Sequence, residues 1–237
     1  MKVIASILTI GIVVLTISFN TPPVDAQERQ VLDLRDFNAI DVGGNIDVDI
    51  HQGQNFLVEL NIPEDELDDF VIEVNGSTLE INRSRGAGGF FGLWGSNLSV
   101  DVTLPELEAV RASGGANVSA AETISGEILS ISASGGSEID MHIEVTELEI
   151  NTSGGSDVYV RGTTESAQIK TSGGSDLNAG DLNARKVHVQ TSGGSDTYIS
   201  VVDRIEGTAS GGSDIVYTGN PQIVDVNVSG GSDVTHR

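Results

Sequence analysis

The sequence TSGGSD occurs at Thr171–Asp176, and it decides the fold because the chain repeats it. Identical copies stand at Thr152–Asp157 and Thr191–Asp196, and four looser copies flank these three. The first glycines of the seven copies are Gly114, Gly135, Gly154, Gly173, Gly193, Gly211 and Gly230, so the spacings are 21, 19, 19, 20, 18 and 19 residues. A regular period of about twenty residues is typical of solenoids and related repeat architectures.

Aligning the chain on this glycine reveals columns of similar residues. Four positions before it the residues are Val110, Ile131, Ile150, Ile169, Val189, Gly207 and Val226. Four positions after it they are Val118, Ile139, Val158, Leu177, Thr197, Ile215 and Val234. Polar residues occupy most of the positions between, and this period of two is typical of a strand with one buried face. Each repeat therefore predicts a strand, a Ser-Gly-Gly corner, a second strand and a looser turn.

The alignment of the columns predicts that each coil forms hydrogen bonds with the next, as in a parallel β-solenoid. A meander or a propeller of hairpins is the alternative, but propeller blades need about forty residues each. We therefore expect an all-β solenoid of about 19-residue coils with two strands per coil. Residues 111–237 contain the regular coils, and residues 37–110 are predicted to form irregular coils of the same kind, beginning with the Gly-Gly copy at 40–48.

The first residues predict export. Met1-Lys2 is a short basic start, residues 3–19 are almost unbroken apolar sequence, and Val24-Asp25-Ala26 offers the small residues at which signal peptidases cleave. We expect a signal peptide over residues 1–26, a lead-in over 27–36 and one domain over 37–237. A retained N-terminal membrane anchor is the alternative. No second apolar run follows, so no transmembrane segment is expected after cleavage.

The charge of the chain limits its partners. Residues 27–237 contain 11 basic and 34 acidic residues, which gives a net charge of −23. Nucleic acids and anionic lipids require a basic footprint, so neither is an expected partner. The chain contains no cysteine, which excludes disulfides. These properties favour a protein of the periplasm or cell surface whose partner is an unidentified protein or glycan.

An acidic residue recurs three positions after the first glycine, and it is the candidate metal ligand. The aspartates at this position are Asp157, Asp176, Asp196, Asp214 and Asp233. Stacked carboxylates repel one another, and a weakly bound Ca²⁺ ion is one way to relieve that repulsion. The alternative is that the serine and the aspartate accept hydrogen bonds from the backbone of their own turn, while glycine supplies the positive φ. No other cofactor is expected.

The segment Ser84–Ser96, SRGAGGFFGLWGS, interrupts the repeat and is the candidate partner-binding loop. It contains the only tryptophan of the chain and two of its six phenylalanines. The candidate contact residues are Phe90, Phe91, Leu93 and Trp94. An apolar loop with glycine hinges on an acidic body is suited to gripping a partner. The alternative is that the loop folds back and plugs the solenoid.

No pattern in the sequence indicates catalysis. The four histidines share no metal-ligand spacing, and no nucleophile-elbow sequence is present. The basic residues are scattered, whereas polysaccharide-active enzymes on β-helices require them clustered at a cleft. An enzyme acting on polysaccharides is therefore only the third hypothesis for the function.

Several motifs together resemble a known family. They are FNAIDVGGNIDVDIHQG, NGSTLEI, VTLPELEAVRASGGA and the serial SGGSD, and the resemblance covers residues 37–237. The sequence resembles the auto-transporter adhesin, head GIN domain family of bacterial exported proteins. The resemblance implies a right-handed parallel β-helix without catalytic residues and a role in adhesion at the cell surface. We therefore expect a non-catalytic adhesin-like or scaffold module, with a carbohydrate-binding protein, assisted by a cation, as the alternative.

Overall fold

The computed structural model describes residues 29–61, 64–84 and 98–237. Within these ranges sixteen strands join into one continuous sheet that winds around the core, and a single 3-10 turn spans Glu64–Asp69. The strands are β1 (Arg29–Leu32), β2 (Ala39–Gly43), β3 (Ile46–Gln52), β4 (Leu57–Asn61), β5 (Phe70–Asn75), β6 (Thr78–Arg83), β7 (Leu98–Leu104), β8 (Ala109–Ser113), β9 (Asn117–Ser134), β10 (Glu138–Ser153), β11 (Asp157–Ser172), β12 (Asp176–Ser192), β13 (Asp196–Ser210), β14 (Asp214–Thr218), β15 (Ile223–Val228) and β16 (Asp233–His236). No helix in this part of the chain is long and apolar enough to cross a membrane.

The regular coils confirm the predicted solenoid of about 19-residue repeats. Strands β9 to β13 each pair in parallel with the next, offset by one repeat, as in the pairing of Val158 with Leu177. Each of these strands is 15 to 18 residues long and covers nearly a whole coil. The two strands predicted per coil are therefore one continuous strand. The looser turn does not break the strand. Between β10 and β11 the pairing keeps its register around the bend, as at Val145–Thr164, whereas the β11–β12 and β12–β13 ladders shift register there.

The predicted apolar columns form the core. Ile131, Ile150, Ile169 and Val189 stack over one another and are at most 1% exposed. The column of small residues also faces inward, as its threonines Thr152, Thr171 and Thr191 are at most 2% exposed. Like residues therefore pack on like residues at the spacing of neighbouring strands, about 4.8 Å.

The N-terminal coils stack in an order that differs from their order in the sequence. Strand β2 lies between β6 and β8, and β3 lies between β7 and β9, with all these pairs parallel. The coil formed by β2 and β3 is thus first in the chain but second in the stack. The prediction of irregular N-terminal coils is confirmed, and the permuted order is what makes them irregular.

Antiparallel strands cover the N-terminal end of the stack. Strand β5 pairs with β6, β4 pairs with β7 and β1 pairs with β4, all antiparallel. The rings of Phe37 and Phe56 meet beside this end with centroids 5.0 Å apart. A solenoid end exposes strand edges and core side chains, and these antiparallel strands cover the first coils, with β1 and β5 as the edge strands within the described ranges.

Candidate functional site

The Ser-Gly-Gly corner positions the candidate residues, and its glycines are required by backbone geometry. Gly173 and Gly174 have φ angles of 72° and 73°, in the left-handed region that other residues avoid. A Cβ atom on Gly173 would lie 3.1 Å from the backbone nitrogen of Gly154 in the preceding coil. A Cβ atom on Gly174 would meet nothing within 4 Å. The prediction that glycine supplies the positive φ is confirmed, and the first glycine of the pair also permits close stacking of the coils.

The serine after the glycine pair joins neighbouring corners. Ser175 Oγ accepts hydrogen bonds from the backbone nitrogens of Gly155 and Ser156, at 3.1 and 3.2 Å, in the preceding coil. Ser195 Oγ accepts the equivalent bonds from Gly174 and Ser175, at 3.1 and 3.3 Å. The side chains of both serines are fully buried. The expected bonds from the backbone of the serine's own turn are therefore corrected for these two serines, whose donors belong to the coil before. They are confirmed for Ser137, whose Oγ accepts a 3.0 Å hydrogen bond from the Ser134 nitrogen of its own turn.

The predicted acidic residues form a continuous column on the outside of this corner. Asp157 pairs with Asp176, Asp176 with Asp196, Asp196 with Asp214 and Asp214 with Asp233. The carboxylate of Asp214 accepts a hydrogen bond of 3.1 Å from the backbone nitrogen of Asp233 in the following coil, not from its own turn. We call these five residues the aspartate ladder.

The candidate metal site has no cluster of ligands among the residues that the structure describes. No three histidine, aspartate or glutamate side chains in these ranges come together in a way that could hold a metal ion. Calcium usually takes six to eight oxygen ligands. A cation on the aspartate ladder would therefore sit between carboxylates of adjacent coils and keep most of its water, and weak calcium binding there stays a prediction.

Two tyrosines stand on the flat face beside the aspartate ladder. Tyr159 pairs with Asn178, and Asn178 pairs with Tyr198, so the two rings lie two coils apart with an amide between them. The tyrosines are 41% and 37% exposed. The carboxylate of Asp157, followed by smaller contributions from burial and other acids, raises the pKa of the Tyr159 phenol. We call Tyr159, Asn178 and Tyr198 the tyrosine strip.

The candidate partner-binding loop lies outside the described residues, but its anchor points are known. Gly43 and Ile46, with two residues between them, pair with Asn82 and Leu98 in the neighbouring coil, which have fifteen between them. The loop is therefore an insertion of thirteen residues at a corner position, next to the capped end. Phe90, Phe91, Leu93 and Trp94 all belong to this insertion, and their role stays a prediction.

Two basic side chains on the outer faces are engaged by acids. Arg161 forms an ion pair of 2.6 Å with Asp140, and Arg185 forms one of 2.8 Å with Asp203. The carboxylate of Asp203 also raises the pKa of Arg185, mainly through its hydrogen bond. These two cations therefore do not gather at a common cleft, in agreement with the scattered positions seen in the sequence.

A family model matches the solenoid that these features describe. The family is "Putative auto-transporter adhesin, head GIN domain", and the match covers residues 36–221. The chain belongs to this family. The resemblance seen in the sequence motifs is thereby confirmed, although the match alone assigns no role to any single residue of this adhesin-type domain. No curated protein matches the chain.

Crystal structures of three bacterial proteins share the fold of this family member. A "putative adhesin" from Bacteroides fragilis has a TM-score of 0.81 at 20% identity, over 88% of this chain and 96% of that one. A "putative adhesin" from Parabacteroides merdae has a TM-score of 0.71 at 22% identity, over 88% and 95%. A "Putative lipid binding protein" from Parabacteroides distasonis has a TM-score of 0.65 at 18% identity, over 89% and 96%. At these identities the likeness is one of fold.

Proposed function

We propose that this protein is an exported, non-catalytic module with an adhesin-like role outside the cytoplasm. The observation that carries the proposal is the family match over residues 36–221, which spans the solenoid from its N-terminal cap to β14. The architecture supports it, because stacked parallel coils give flat outer faces on which side chains repeat at each rung, and repeat solenoids use such extended surfaces for binding.

The test is adhesion of coated particles. Fluorescent beads carrying the purified exported protein are expected to remain on layers of epithelial cells or on immobilised matrix proteins under flow. Beads carrying the same protein after thermal unfolding are the control for nonspecific charge effects. Equal retention of the two bead types would contradict an adhesive function.

A specific observation favours a second candidate function, binding of a carbohydrate. In the tyrosine strip, two exposed aromatic rings flank an amide on a flat surface. Sugar rings offer apolar faces that stack on aromatic rings, and hydroxyl groups that need donors and acceptors such as the Asn178 amide. Within the described part of the chain, neither tyrosine ring stacks on another ring. The strip therefore has its faces available to a ligand.

Glycan-array binding with and without EDTA separates the two candidates. Binding that disappears when Tyr159→Ala and Tyr198→Ala are combined, but survives in Ile128→Ala, would support the carbohydrate candidate at the tyrosine strip. Ile128 is a suitable control because it is a 51% exposed apolar side chain away from the strip. Loss of binding on chelation would favour assistance by a cation on the aspartate ladder. If no glycan binds, protein adhesion or scaffolding remains as the function.

A further inference from the structure

The two ends of the solenoid are built differently. Antiparallel strands cover the N-terminal end, as described above. At the C-terminal end, β15 pairs only with β13 and β16 pairs only with β14, within the ranges that the structure describes. Each of these two strands therefore presents one edge without a partner in this part of the chain.

The core is open at the same end. Val224 and Val228 pair with Ile205 and Ala209 of β13, which are fully buried. Val224 is nevertheless 48% exposed and Val228 is 47% exposed, because no coil of the described ranges stacks on them. Between them Val226 occupies the same inward-facing row and is partly buried. A strand edge beside exposed core residues is a template for pairing with another strand.

The backbone of β15 is arranged for pairing on its open side. The Ser229 nitrogen donates a 2.9 Å hydrogen bond to the Ala209 carbonyl, toward β13. Because backbone groups alternate sides along a strand, the N–H and C=O groups of Val224, Val226 and Val228 point away from β13. Six strong hydrogen-bonding groups are thus offered in one row, beside the exposed valine side chains.

The apolar loop of the same molecule cannot cover this end. Eight strand-to-strand steps separate β7, where the loop is anchored, from β16, which is about 38 Å at 4.8 Å per step. The loop between Ser84 and Leu98 has thirteen residues and must return to its base, so its reach is at most about 24 Å. This loop is therefore not the occupant of the C-terminal end.

The sequence of β15 is complementary to itself in the antiparallel direction. If two copies pair about a two-fold axis through Val226, Val224 of one copy lies opposite Val228 of the other. Asp225 then lies opposite Asn227, so a carboxylate faces an amide rather than another carboxylate. The valines that face each other are the residues whose N–H and C=O groups point away from β13. Their side chains lie on the core side of both strands, so the two apolar cores become continuous.

We propose that two copies of this protein join at their C-terminal ends through antiparallel pairing of β15. The product is a two-fold symmetric rod, a closed arrangement in which the open β15 edge of each copy is used. Its distal ends are the two capped ends, each next to the apolar loop. The net charge of −23 per chain opposes the association, but added salt screens charges that lie more than about 10 Å apart at 0.1 M.

The test is sedimentation equilibrium of the purified exported protein at concentrations from about 1 to about 100 μM. This range brackets the micromolar dissociation constants expected of a modest interface. We expect a monomer–dimer equilibrium whose dissociation constant falls as NaCl is raised from about 0.05 to about 0.5 M. Val226→Pro removes an N–H that points to the open side, which edge strands tolerate, so we expect a folded monomer with nearly unchanged melting temperature.

A compensating pair of substitutions tests the register. Asn227→Asp places a carboxylate opposite Asp225 of the other copy and is expected to raise the dissociation constant about tenfold. Adding Asp225→Asn restores a carboxylate–amide pair and is expected to return the constant to near its original value. Gln168→Glu adds the same charge on an exposed mid-solenoid position and should have little effect.

Three results would overturn the proposal. The first is a protein that remains monomeric at about 100 μM in both salt conditions, which means a dissociation constant well above that concentration. The second is a dimer that Val226→Pro and Asn227→Asp leave intact, which would place the contact on another surface. The third is a monomer whose Val224, Val226 and Val228 amides are protected from hydrogen exchange, which would mean that another segment of the same chain covers β15.

Discussion

In the five corners from Gly114-Gly115 to Gly193-Gly194, the two glycines meet different surroundings although both have φ angles between 64° and 86°. Both lie in the left-handed region, so any side chain there costs about 1–2 kcal/mol. Only the first glycine faces the backbone of the preceding coil at 3.1 Å, as Gly173 does against Gly154. The corner sequence is therefore fixed by two separate requirements, a turn conformation and a close approach.

Substitution of the two glycines separates these requirements. Gly174→Ala is expected to lower the free energy of unfolding by about 1–2 kcal/mol through the backbone conformation alone. Gly173→Ala is expected to cost at least about 1 kcal/mol more, since its Cβ would press on the neighbouring coil. Urea denaturation of the two variants measures the difference. Equal losses would show that the coils separate easily at this corner.

The corner serine is expected to stabilise the stack more than its position in a surface turn indicates. Ser175→Ala removes the acceptor of two backbone N–H groups, those of Gly155 and Ser156. Ser156 is buried and Gly155 is exposed, so only the Ser156 donor is left without a partner or water. A buried donor without a partner costs about 1–3 kcal/mol, and we expect a loss of that size in the free energy of unfolding. Ser172→Ala, at a half-buried position of the same corner, is the control and should cost less than about 1 kcal/mol.

Asp41 links the stability of the permuted coil to pH. It pairs with Glu80 on one side and Arg111 on the other. Burial, opposed by Arg111 and reinforced by Glu80, raises the pKa of its carboxyl group. A carboxyl with a raised pKa binds protons more tightly in the folded state, so its contribution to stability is fully present below the unfolded pKa. That contribution is lost as the pH rises through the higher folded pKa.

Asp41→Asn should therefore unfold at a higher temperature than the original protein at pH 7, by an amount equivalent to at most about 0.5 kcal/mol. The advantage should vanish below about pH 4, where the unfolded carboxyl is also protonated. Thermal unfolding followed across this pH range measures it. Asp140→Asn, which breaks the ion pair with Arg161, is the matched control and should show no gain at pH 7.

At the scale of single elements, the thirteen-residue insertion between β6 and β7 differs from every Ser-Gly-Gly corner. Combining Phe91→Ala with Trp94→Ala should weaken binding to cells or matrix proteins at least about tenfold, as expected for aromatic contact residues. The melting temperature should hardly change. A large drop in melting temperature would instead identify the loop as a plug of the solenoid, and the bead assay described above measures the binding.

An element could be predicted from the sequence where its apolar and glycine residues recur with the period of the coil. The columns at 111–237 follow from stacking like residues, so the core from Ile131 to Val189 could be read from the sequence. The insertion of β2 between β6 and β8 could not, because β6 is not directly followed by the Gly-Gly corner that would mark its place in the stack. The sequence also does not reveal that Ser175 and Ser195 accept hydrogen bonds from the coil before. A regular spacing shows that a serine hydroxyl recurs in each coil. It does not show whether the hydrogen-bond partners of that hydroxyl belong to the same coil or to a neighbouring one.

At the scale of the whole molecule, repulsion between carboxylates of neighbouring coils opposes the stacking of coils in the solenoid. The aspartate ladder places carboxylates on successive rungs, each pair repelling by about 1 kcal/mol at the dielectric constant of water. Raising NaCl from about 0.01 to about 1 M shortens the screening length from about 30 to about 3 Å. We expect the free energy of unfolding to rise by about 1–3 kcal/mol over this range.

Calcium distinguishes general screening from binding at the ladder. At equal ionic strength, a melting temperature that is higher in CaCl₂ than in NaCl is expected if the aspartate ladder holds the cation. The excess should disappear when Asp176 and Asp196 are both changed to Asn, since these residues are adjacent in the ladder. Identical melting curves in the two salts would exclude calcium binding there.

The position of β3 between β7 and β9 has a consequence for biosynthesis. A ribosome completes β3 at Gln52. It reaches Ser119, the last residue of β9 that pairs with β3, only 67 residues later (119 minus 52). At about 5–20 residues per second, this strand waits about 3–13 s for its second neighbour. Its sequence, Ile46-Asp47-Val48-Asp49-Ile50, places a charge after each of its first two apolar residues. Such charges deter aggregation of an unpaired strand, so Asp47 and Asp49 protect the nascent chain while it waits, before they accept hydrogen bonds from Asn117 and Ser119 of β9.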